Sequence, residues 1–201
     1  MNFEFSDARF LDVIRMIEDY RLDIRTVTMG ISLIGCTRPT MEATAQAVYD
    51  RVVERARDLV PVCEDIEREL GIPIVNKRIS VSPIALVAAG AEGNPVDIAR
   101  ALDRAAGELD VNFVGGYSAL VEKGGTTADK KLIYSIPEAL SETDKVCSSV
   151  NVASSRAGIN MNAVAKMGEI VKEAAEATAD RSSIACAKLV VFANAVGDNP
   201  F

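Results

Sequence analysis

Apolar residues recur along the chain with two periods, one of two residues and one of three to four, which are the periods of a half-buried strand and an amphipathic helix. The longer period predicts helices over 7–20, 41–69, 84–90, 95–109 and 160–178. The shorter period predicts strands over 23–33, 72–83, 111–120, 145–152 and 185–194, with a polar turn over 122–130 and a brief strand over 131–135. Strands that alternate with helices are typical of an α/β fold with a mainly parallel sheet or barrel and helical crossovers.

Proline and glycine positions indicate where some of these predicted helices and strands end or are interrupted. Pro61 lies inside the predicted helix over 41–69 and indicates either a kink or a break there, and Gly71 follows as a C-terminal glycine. Gly115 and Gly116 interrupt the predicted strand over 111–120. No repeat, low-complexity segment or obvious linker divides the chain, so we expect a single domain over residues 1–201.

Three of the predicted strands have one polar side and one aliphatic side. A parallel strand that helices cover on both sides is usually apolar throughout. If the sheet curls into a barrel or half-barrel, the polar sides converge on a cavity lined by Thr26, Thr28, Ser32, Asn76, Arg78, Ser80, Ser82, Ser118, Cys147, Ser149 and Asn151. The alternative is an open sheet that contains antiparallel strands and whose polar face is solvated.

The composition narrows the classes of function. With 49% hydrophobic residues and a formal net charge of −7, the sequence is typical of a globular protein that does not bind nucleic acid. No apolar run of about 18 residues predicts a membrane span, and the N-terminal residues lack a secretory signal core, so a cytoplasmic protein is expected. The chain has no His, which excludes a Ser-His-Asp or Cys-His catalytic set within it. Its four Cys residues form no CxxC pair, which argues against a zinc ribbon and a thioredoxin-type motif. No metal site is predicted, and the sequence leaves any cofactor unknown.

The hydroxyls, amides and guanidinium of the polar strand faces suit a small anion. Arg78 is the candidate anchor for a carboxylate or phosphate, with a surface ion pair as the alternative. Cys147 is the candidate catalytic group, with a buried structural cysteine as the alternative. The candidate substrate-binding residues beside Arg78 are Asn76, Ser80, Ser149 and Asn151.

Six blocks carry a more specific resemblance: DIRTVTMGISL, GIPIVNKRISVSP, GGYSALVEKG, TDKVCSSVN, GINMNAVAKMG and KLVVFANAVGDNPF. From about residue 5 to Phe201 the chain resembles an uncharacterised prokaryotic protein family grouped with the pyruvate formate-lyase-like (glycyl radical enzyme) barrel superfamily. The resemblance implies half of an α/β barrel with a site in its lumen, and it places Arg78, Cys147 and Asn151 in motif blocks. It also implies a longer protein of which this chain is the N-terminal half, with an edge for a second copy or a second half-barrel to cover. The radical-bearing glycine motif of glycyl radical enzymes is not visible in this sequence, so radical chemistry is not supported.

Two hypotheses of function follow from the sequence. The first is an enzyme, or half of one, that binds a small anionic metabolite in a polar lumen, with Arg78 as anchor and Cys147 as reactive group. The second is a non-catalytic ligand-sensing or scaffold protein on the same fold, which the absence of His favours. The sequence alone leaves open whether the protein is an enzyme.

Overall fold

Five parallel strands cross the fold in the same order as they follow one another along the chain. This computed structural model describes residues 11–12, 14–15 and 23–194. The sheet consists of β1 (Val27–Ile31), β2 (Lys77–Val81), β3 (Phe113–Leu120), β4 (Val146–Asn151) and β7 (Leu189–Phe192), in that order. A separate antiparallel hairpin is formed by β5 (Ala153–Ser154) and β6 (Gly158–Ile159). The predicted α/β class and mainly parallel sheet are confirmed.

Helices connect successive strands. They are α1 (Met41–Ala56), α2 (Leu59–Leu70), α3 (Ile84–Ala88), α4 (Val96–Glu108), α5 (Thr127–Glu142), α6 (Met161–Ala177) and α7 (Ile184–Ala187), with a short 3₁₀ turn at Ala179–Arg181. The side chains of Thr40, Thr126 and Asn160 cap α1, α5 and α6 by accepting a backbone N–H of the first turn. Within the described part of the chain, no helix is long and apolar enough to cross a membrane.

The strand order determines which face of the sheet the helices cover. Right-handed crossovers between neighbouring parallel strands place every connecting helix on the same side of the sheet. Side-chain burial follows this rule, since Ile79, Val114, Val146 and Val150 are buried on one side. Residues that alternate with them, such as Arg78 and Cys147, are only partly buried. We call the first side the helix face and the second the open face.

The hydrophobic core lies between the helix face and the helices. Leu102 of α4 and the α5 residues Leu132, Ile136 and Leu140 are buried against the sheet. Tyr117 of β3 is the largest fully buried side chain, and its hydroxyl forms a hydrogen bond of 2.6 Å with Ser135 Oγ of α5. This bond satisfies a phenol that is otherwise removed from water, so it ties the centre of the sheet to α5.

A β-bulge at Gly116 shifts the alternation of β3 by one residue. Gly115 is in register with Cys147 of β4, whereas Tyr117 is in register with Ser148, so Gly116 has no partner of its own. Without the bulge, Tyr117 would lie on the same face as Gly115; with it, Tyr117 reaches the core and Ser118 lies on the open face. The break predicted at Gly115 and Gly116 is therefore a bulge within one continuous strand.

Helix α5 corrects two predictions, the polar turn over 122–130 and the strand over 131–135. The strand is wrong, and the turn is shorter than predicted and ends at Thr126, because a single helix begins at Thr127. Thr126 and Asp129 form a capping box: Asp129 N donates to Thr126 Oγ1 at 3.2 Å, and Thr126 N donates to Asp129 Oδ2 at 2.8 Å. The cap starts the helix early enough to include Ile133 and Tyr134, whose side chains otherwise favour a strand.

Other predicted boundaries differ at the ends of elements. The helix predicted over 41–69 is two helices, which are separated between Ala56 and Leu59. Of the two alternatives for Pro61, a kink or a break, the break is therefore correct. Pro61 itself lies in the first turn of α2, where proline is tolerated. The strand predicted over 185–194 is shorter, because its first residues form α7. The helix predicted over 7–20 lies mostly outside the described residues.

The bulge gives a direct test of the fold. Gly116 has φ +119°, and a Cβ atom added there would lie 2.5 Å from Val81 Cγ2 and 2.6 Å from the Val81 carbonyl oxygen. We expect Gly116→Ala to lower the free energy of unfolding by about 2–4 kcal/mol, because both the backbone conformation and the neighbouring strand resist the methyl group. Urea unfolding followed by circular dichroism measures the change.

Gly30→Ala in β1 is the matched control, because nothing lies within 4 Å of a Cβ placed there and its φ is not positive. This variant should stay within about 0.5–1 kcal/mol of the parent chain. Equal effects of the two substitutions would contradict the role given to the bulge.

Candidate functional site

Two rows of residues cross the open face at right angles to the strands. Thr28, Arg78 and Phe113 are in register on β1, β2 and β3. The next row, two residues further along each strand, is Gly30, Ser80, Gly115 and Cys147. The second row consists of small side chains, so it leaves a depression beside the larger Arg78 and Phe113 side chains.

Two adjoining concavities occupy this depression. One has a volume of about 360 Å³ and is lined by Thr28, Arg78, Ile79, Ser80, Phe113, Gly115, Cys147, Ala187 and Lys188. The other, of about 270 Å³, extends toward the carboxyl ends of the strands and is lined by Arg78, Ser80, Val81, Pro83, Gly115, Gly116, Ser118, Cys147, Ser148, Ser149, Val190 and Phe192. Neither lining contains an Asp or Glu, while Arg78 borders both and Lys188 borders the first. The lining of the depression therefore includes basic residues and no acidic one.

The Arg78 guanidinium is held in place without a carboxylate partner. Its carbon lies 5.3 Å from the centre of the Phe113 ring, which is the geometry of a cation–π contact. Among the described residues, no carboxylate oxygen lies within 4.0 Å of it, and its buried Nε atom has no hydrogen-bond partner. A buried guanidinium N–H without an acceptor is unfavourable, so this group is suited to accept an anion from outside the chain.

Lys188 lies just before β7 and closes one side of the first concavity. Its ammonium donates to the carbonyl oxygen of Leu140 at 2.9 Å and to that of Thr143, both at the C-terminal end of α5. Burial lowers the pKa of Lys188, and the nearby Asp144 and Asp103 oppose that shift. Because its protons are directed at the helix end, Lys188 contributes positive charge to the site rather than a free donor.

Cys147 is at the centre of the depression, but its surroundings do not favour a thiolate. Burial raises the pKa of the Cys147 thiol, and the positive charges of Lys188 and Arg78 offset only part of that effect. A thiol with a raised pKa is a weak nucleophile near neutral pH. The catalytic role of Cys147 stays a prediction, and this pKa shift weighs against it.

The other predicted site residues divide into two groups. Ser80 and Ser149 line the concavities, together with Thr28 and Ser118. Asn76 is outside both linings, and its Nδ2 donates to the Arg25 carbonyl oxygen at 3.1 Å.

Asn151 is also outside both linings and is occupied by backbone groups. In the amide orientation that satisfies both of its polar atoms, it donates to Ala153 O at 2.8 Å and to Phe192 O at 3.3 Å. The structure thus brings Arg78, Ser80, Cys147 and Ser149 together, and it gives Asn76 and Asn151 bonds that hold strand ends.

Phe113 and Lys188 are among the lining residues that were not predicted from the sequence. Phe113 is two residues before Gly115, so strand alternation alone would place it on the same face as Gly115. Lys188 is two residues before Val190, so strand alternation would also assign it to the open face. Lys188 and Arg78 are far apart in the sequence, however, and the sequence does not indicate that both line the same concavity.

A larger cleft of about 490 Å³ lies near the N-terminal ends of α5 and α6, lined among others by Lys130, Lys166 and Asn160. Two of its polar side chains, Lys166 and Asn160, already have partners within the chain. Lys166 pairs with Glu169, and the Asn160 side chain donates to Val121 O at 2.7 Å while accepting from Ala163 N. The open face is therefore the stronger candidate site.

Among the described residues, no three His, Cys, Asp or Glu side chains are grouped as a metal site would require.

A sequence model of one protein family, described as Uncharacterised ACR (DUF711), matches residues 15–201. The chain belongs to this family. The match covers all of β1 to β7 and thus the whole open face, so the depression around Arg78 is a part of the family's fold. The family description states no activity.

Several curated relatives carry the name UPF0210 protein. The chain is 75% identical to one from Corynebacterium glutamicum, over 98% of this chain and 42% of the relative. It is 59% identical to one from Listeria monocytogenes, over 96% of this chain and 43% of the relative. A third, from Thermoanaerobacter sp., is 55% identical over 100% of this chain and 44% of its own length. The chain thus spans less than half the length of these family proteins.

These matches correct the resemblance to the pyruvate formate-lyase-like (glycyl radical enzyme) superfamily. DUF711 is a distinct uncharacterised family, and neither its model nor the UPF0210 relatives point to that superfamily, so the resemblance is wrong. The half-barrel that it implied is not confirmed, since the structure shows a five-stranded parallel sheet with crossover helices.

The raised pKa of Cys147 predicts its alkylation behaviour. Because the thiolate is the reactive form, the pH at which iodoacetamide labelling of native Cys147 reaches half its maximum should lie above that of the same thiol in the urea-unfolded chain. Arg78→Ala should move this pH further upward, since Arg78 lowers the Cys147 pKa. Mass spectrometry of the Cys147 peptide across a pH series measures the pH at half-maximal labelling. This pH depends on the pKa of the thiol, whereas limited accessibility would slow labelling at every pH.

Arg104→Ala is the control for this experiment, because Arg104 stacks on the Tyr49 ring at 4.4 Å on the helix side of the molecule. It should leave the labelling midpoint of Cys147 unchanged. A native midpoint below that of the unfolded chain would contradict the raised pKa and would favour Cys147 as a nucleophile.

Proposed function

We propose that the open face of the sheet binds a small anionic molecule, with Arg78 as the group that anchors it. The observation that carries this proposal is the Arg78 guanidinium, which has no carboxylate partner and whose buried Nε has no acceptor among the described residues. A carboxylate or phosphate in the depression would supply the missing counter-charge through charge-assisted hydrogen bonds with the guanidinium.

The lining of the depression supports an anion over a neutral ligand. Arg78 and Lys188 both line the first concavity, and its lining has no acidic residue. The Lys188 ammonium is bonded to the end of α5, so Arg78 is the cation that is available to a ligand. Ser80 and Ser149 add hydroxyl groups that can donate to further oxygens of the ligand. A volume of about 360 Å³ suits a small metabolite and is at the lower end of the range for ligand sites.

We further propose that the site has a second side, formed by the part of the family protein that lies outside this chain. The UPF0210 relatives are more than twice as long as the matched segment, and the depression is open toward solvent on the face that no described helix covers. Curling of the sheet into a half-barrel, closed by that remaining part, would exclude water from the anion and strengthen its pairing with Arg78.

Ligand binding without thiolate chemistry is the function that this geometry supports best. The raised pKa of Cys147 favours a neutral thiol in the lining, and the chain contains no His to act as a base beside it. A catalytic site would then need groups from the rest of the family protein. The ligand-sensing alternative needs only the anchor and the hydroxyls that are present here.

Thermal unfolding in the presence of anions tests the proposal. Inorganic phosphate and malonate should each raise the Tm of the parent chain above that in sodium chloride of equal ionic strength. At about ten times Kd the stabilisation is about 1.4 kcal/mol, or a few °C in Tm. Arg78→Ala should lose this increase, and Arg78→Lys should keep only part of it, because an ammonium cannot form the two parallel bonds of a guanidinium.

Arg104→Ala serves as the matched control, since it also removes an arginine that stacks on an aromatic ring. It should leave the anion effect intact. The same measurements are made on the full-length Corynebacterium glutamicum relative, with the residue equivalent to Arg78 replaced. This second protein tests the case in which anion binding also requires the part of the family protein outside this chain. An anion effect that survives the loss of Arg78 in both proteins would refute the proposal.

A further inference from the structure

Helix α6 carries a row of apolar side chains that the described part of the chain leaves exposed. Met161 is 66% exposed, and Val164 and Val171 are each 38% exposed. At 100° per residue these three positions, together with Gly168, fall within an arc of about 80° on the helix surface. We call Met161, Val164, Gly168 and Val171 the α6 stripe.

The position of the α6 stripe follows from the contacts of the helix. Ile170 and Ala174 are buried in the hydrophobic core, and Lys166 reaches α5, where its ammonium lies 4.9 Å from the centre of the Tyr134 ring. On the helical wheel Lys166 is about 140° from Met161, with the buried residues between the Lys166 side and the stripe. The stripe therefore lies on the flank of α6 that is turned away from α5.

The same flank of the molecule includes the edge strand β7. Val191 is in register with Val150 of β4, which is fully buried on the helix face, yet Val191 is 39% exposed. Ile184 of α7 is 43% exposed, and α7 is joined to α6 by a hydrogen bond of 3.6 Å from Cys186 Sγ to the Val171 carbonyl oxygen. Val191 and Ile184 thus extend the apolar surface from α6 to the outer edge of the sheet.

The charged residues of α6 show that the stripe is not an ordinary solvated face. All five charged residues of the helix fall within an arc of about 120° that begins beside Met161, outside the stripe; they are Lys166, Glu169, Lys172, Glu173 and Glu176. A helix that packs only against the sheet and one neighbour needs an apolar arc of about 100°. In α6 the apolar arc is wider, because it includes both the buried residues and the α6 stripe. A wider apolar arc is typical of a helix that packs against other elements on both of its flanks.

We propose that, in full-length DUF711 proteins, the part of the polypeptide outside this chain packs on the α6 stripe and along β7. The length of the relatives supports this occupant over a second copy: the matched segment is 42–44% of their length, so more than half of each protein remains to be placed around this fold. An exposed apolar flank beside the outer edge of β7, which pairs with no strand of the described residues, is the surface that such a segment would cover. The proposal concerns the flank of the sheet and does not depend on anion binding at the open face.

Cysteine labelling in two proteins tests the occupant. Val171→Cys is introduced into this chain and, at the equivalent position, into the full-length Corynebacterium glutamicum relative, and maleimide labelling is followed by mass spectrometry of that peptide. Valine and cysteine are close in volume and Val171 is partly exposed, so the fold should tolerate the change. We expect ready labelling in this chain and labelling slowed by about tenfold or more in the full-length protein, where it would require local opening.

Glu173→Cys, on the charged side of the same helix, is the matched control and should label at similar rates in both proteins. Equal labelling of Val171→Cys in this chain and in the full-length protein would overturn the proposal. Protection in this chain alone that increases with protein concentration would also overturn it, because a second copy would then be the occupant.

Discussion

The handedness of the crossovers between parallel strands is the constraint on which the rest of this structure depends. Because β1, β2, β3, β4 and β7 are neighbours in chain order, right-handed connections leave every crossover helix between them on one side of the sheet. Each strand then has one side that must be apolar and one that need not be. Ile79 and Arg78 are adjacent in the sequence, and this constraint alone places the first in the core and the second in the candidate site.

Strand alternation made much of this predictable from the sequence, and the exceptions have local physical causes. The polar sides of β2 and β4 indicated a face that the crossover helices leave uncovered, and in the described part of the chain Arg78, Ser80, Cys147 and Ser149 line concavities on that face. The start of α5 was missed because it depends on the capping box of Thr126 and Asp129, which outweighs the strand preference of Ile133 and Tyr134.

Contacts between distant parts of the chain were the least predictable feature. Lys188 reaches the C-terminal end of α5, and Asn151 is bonded to the backbone of β5 and β7, and neither contact has a signal in local spacing. The family assignment also could not be derived from periodicity. Blocks such as TDKVCSSVN are specific enough to indicate a family, but the wider superfamily attached to them was wrong.

Arg78 and Cys147 border the same concavities, and burial affects them in opposite ways. A thiol can avoid the cost of a buried charge by keeping its proton, and this is why the pKa of Cys147 is raised despite two nearby cations. A guanidinium has no such alternative at any physiological pH, so its buried Nε needs an acceptor. Any further covering of the open face would raise the Cys147 pKa and strengthen the attraction of Arg78 for an anion at the same time. The two effects together favour a site that holds an anion over one that attacks with a thiolate, and the more completely the site is enclosed, the larger that difference becomes.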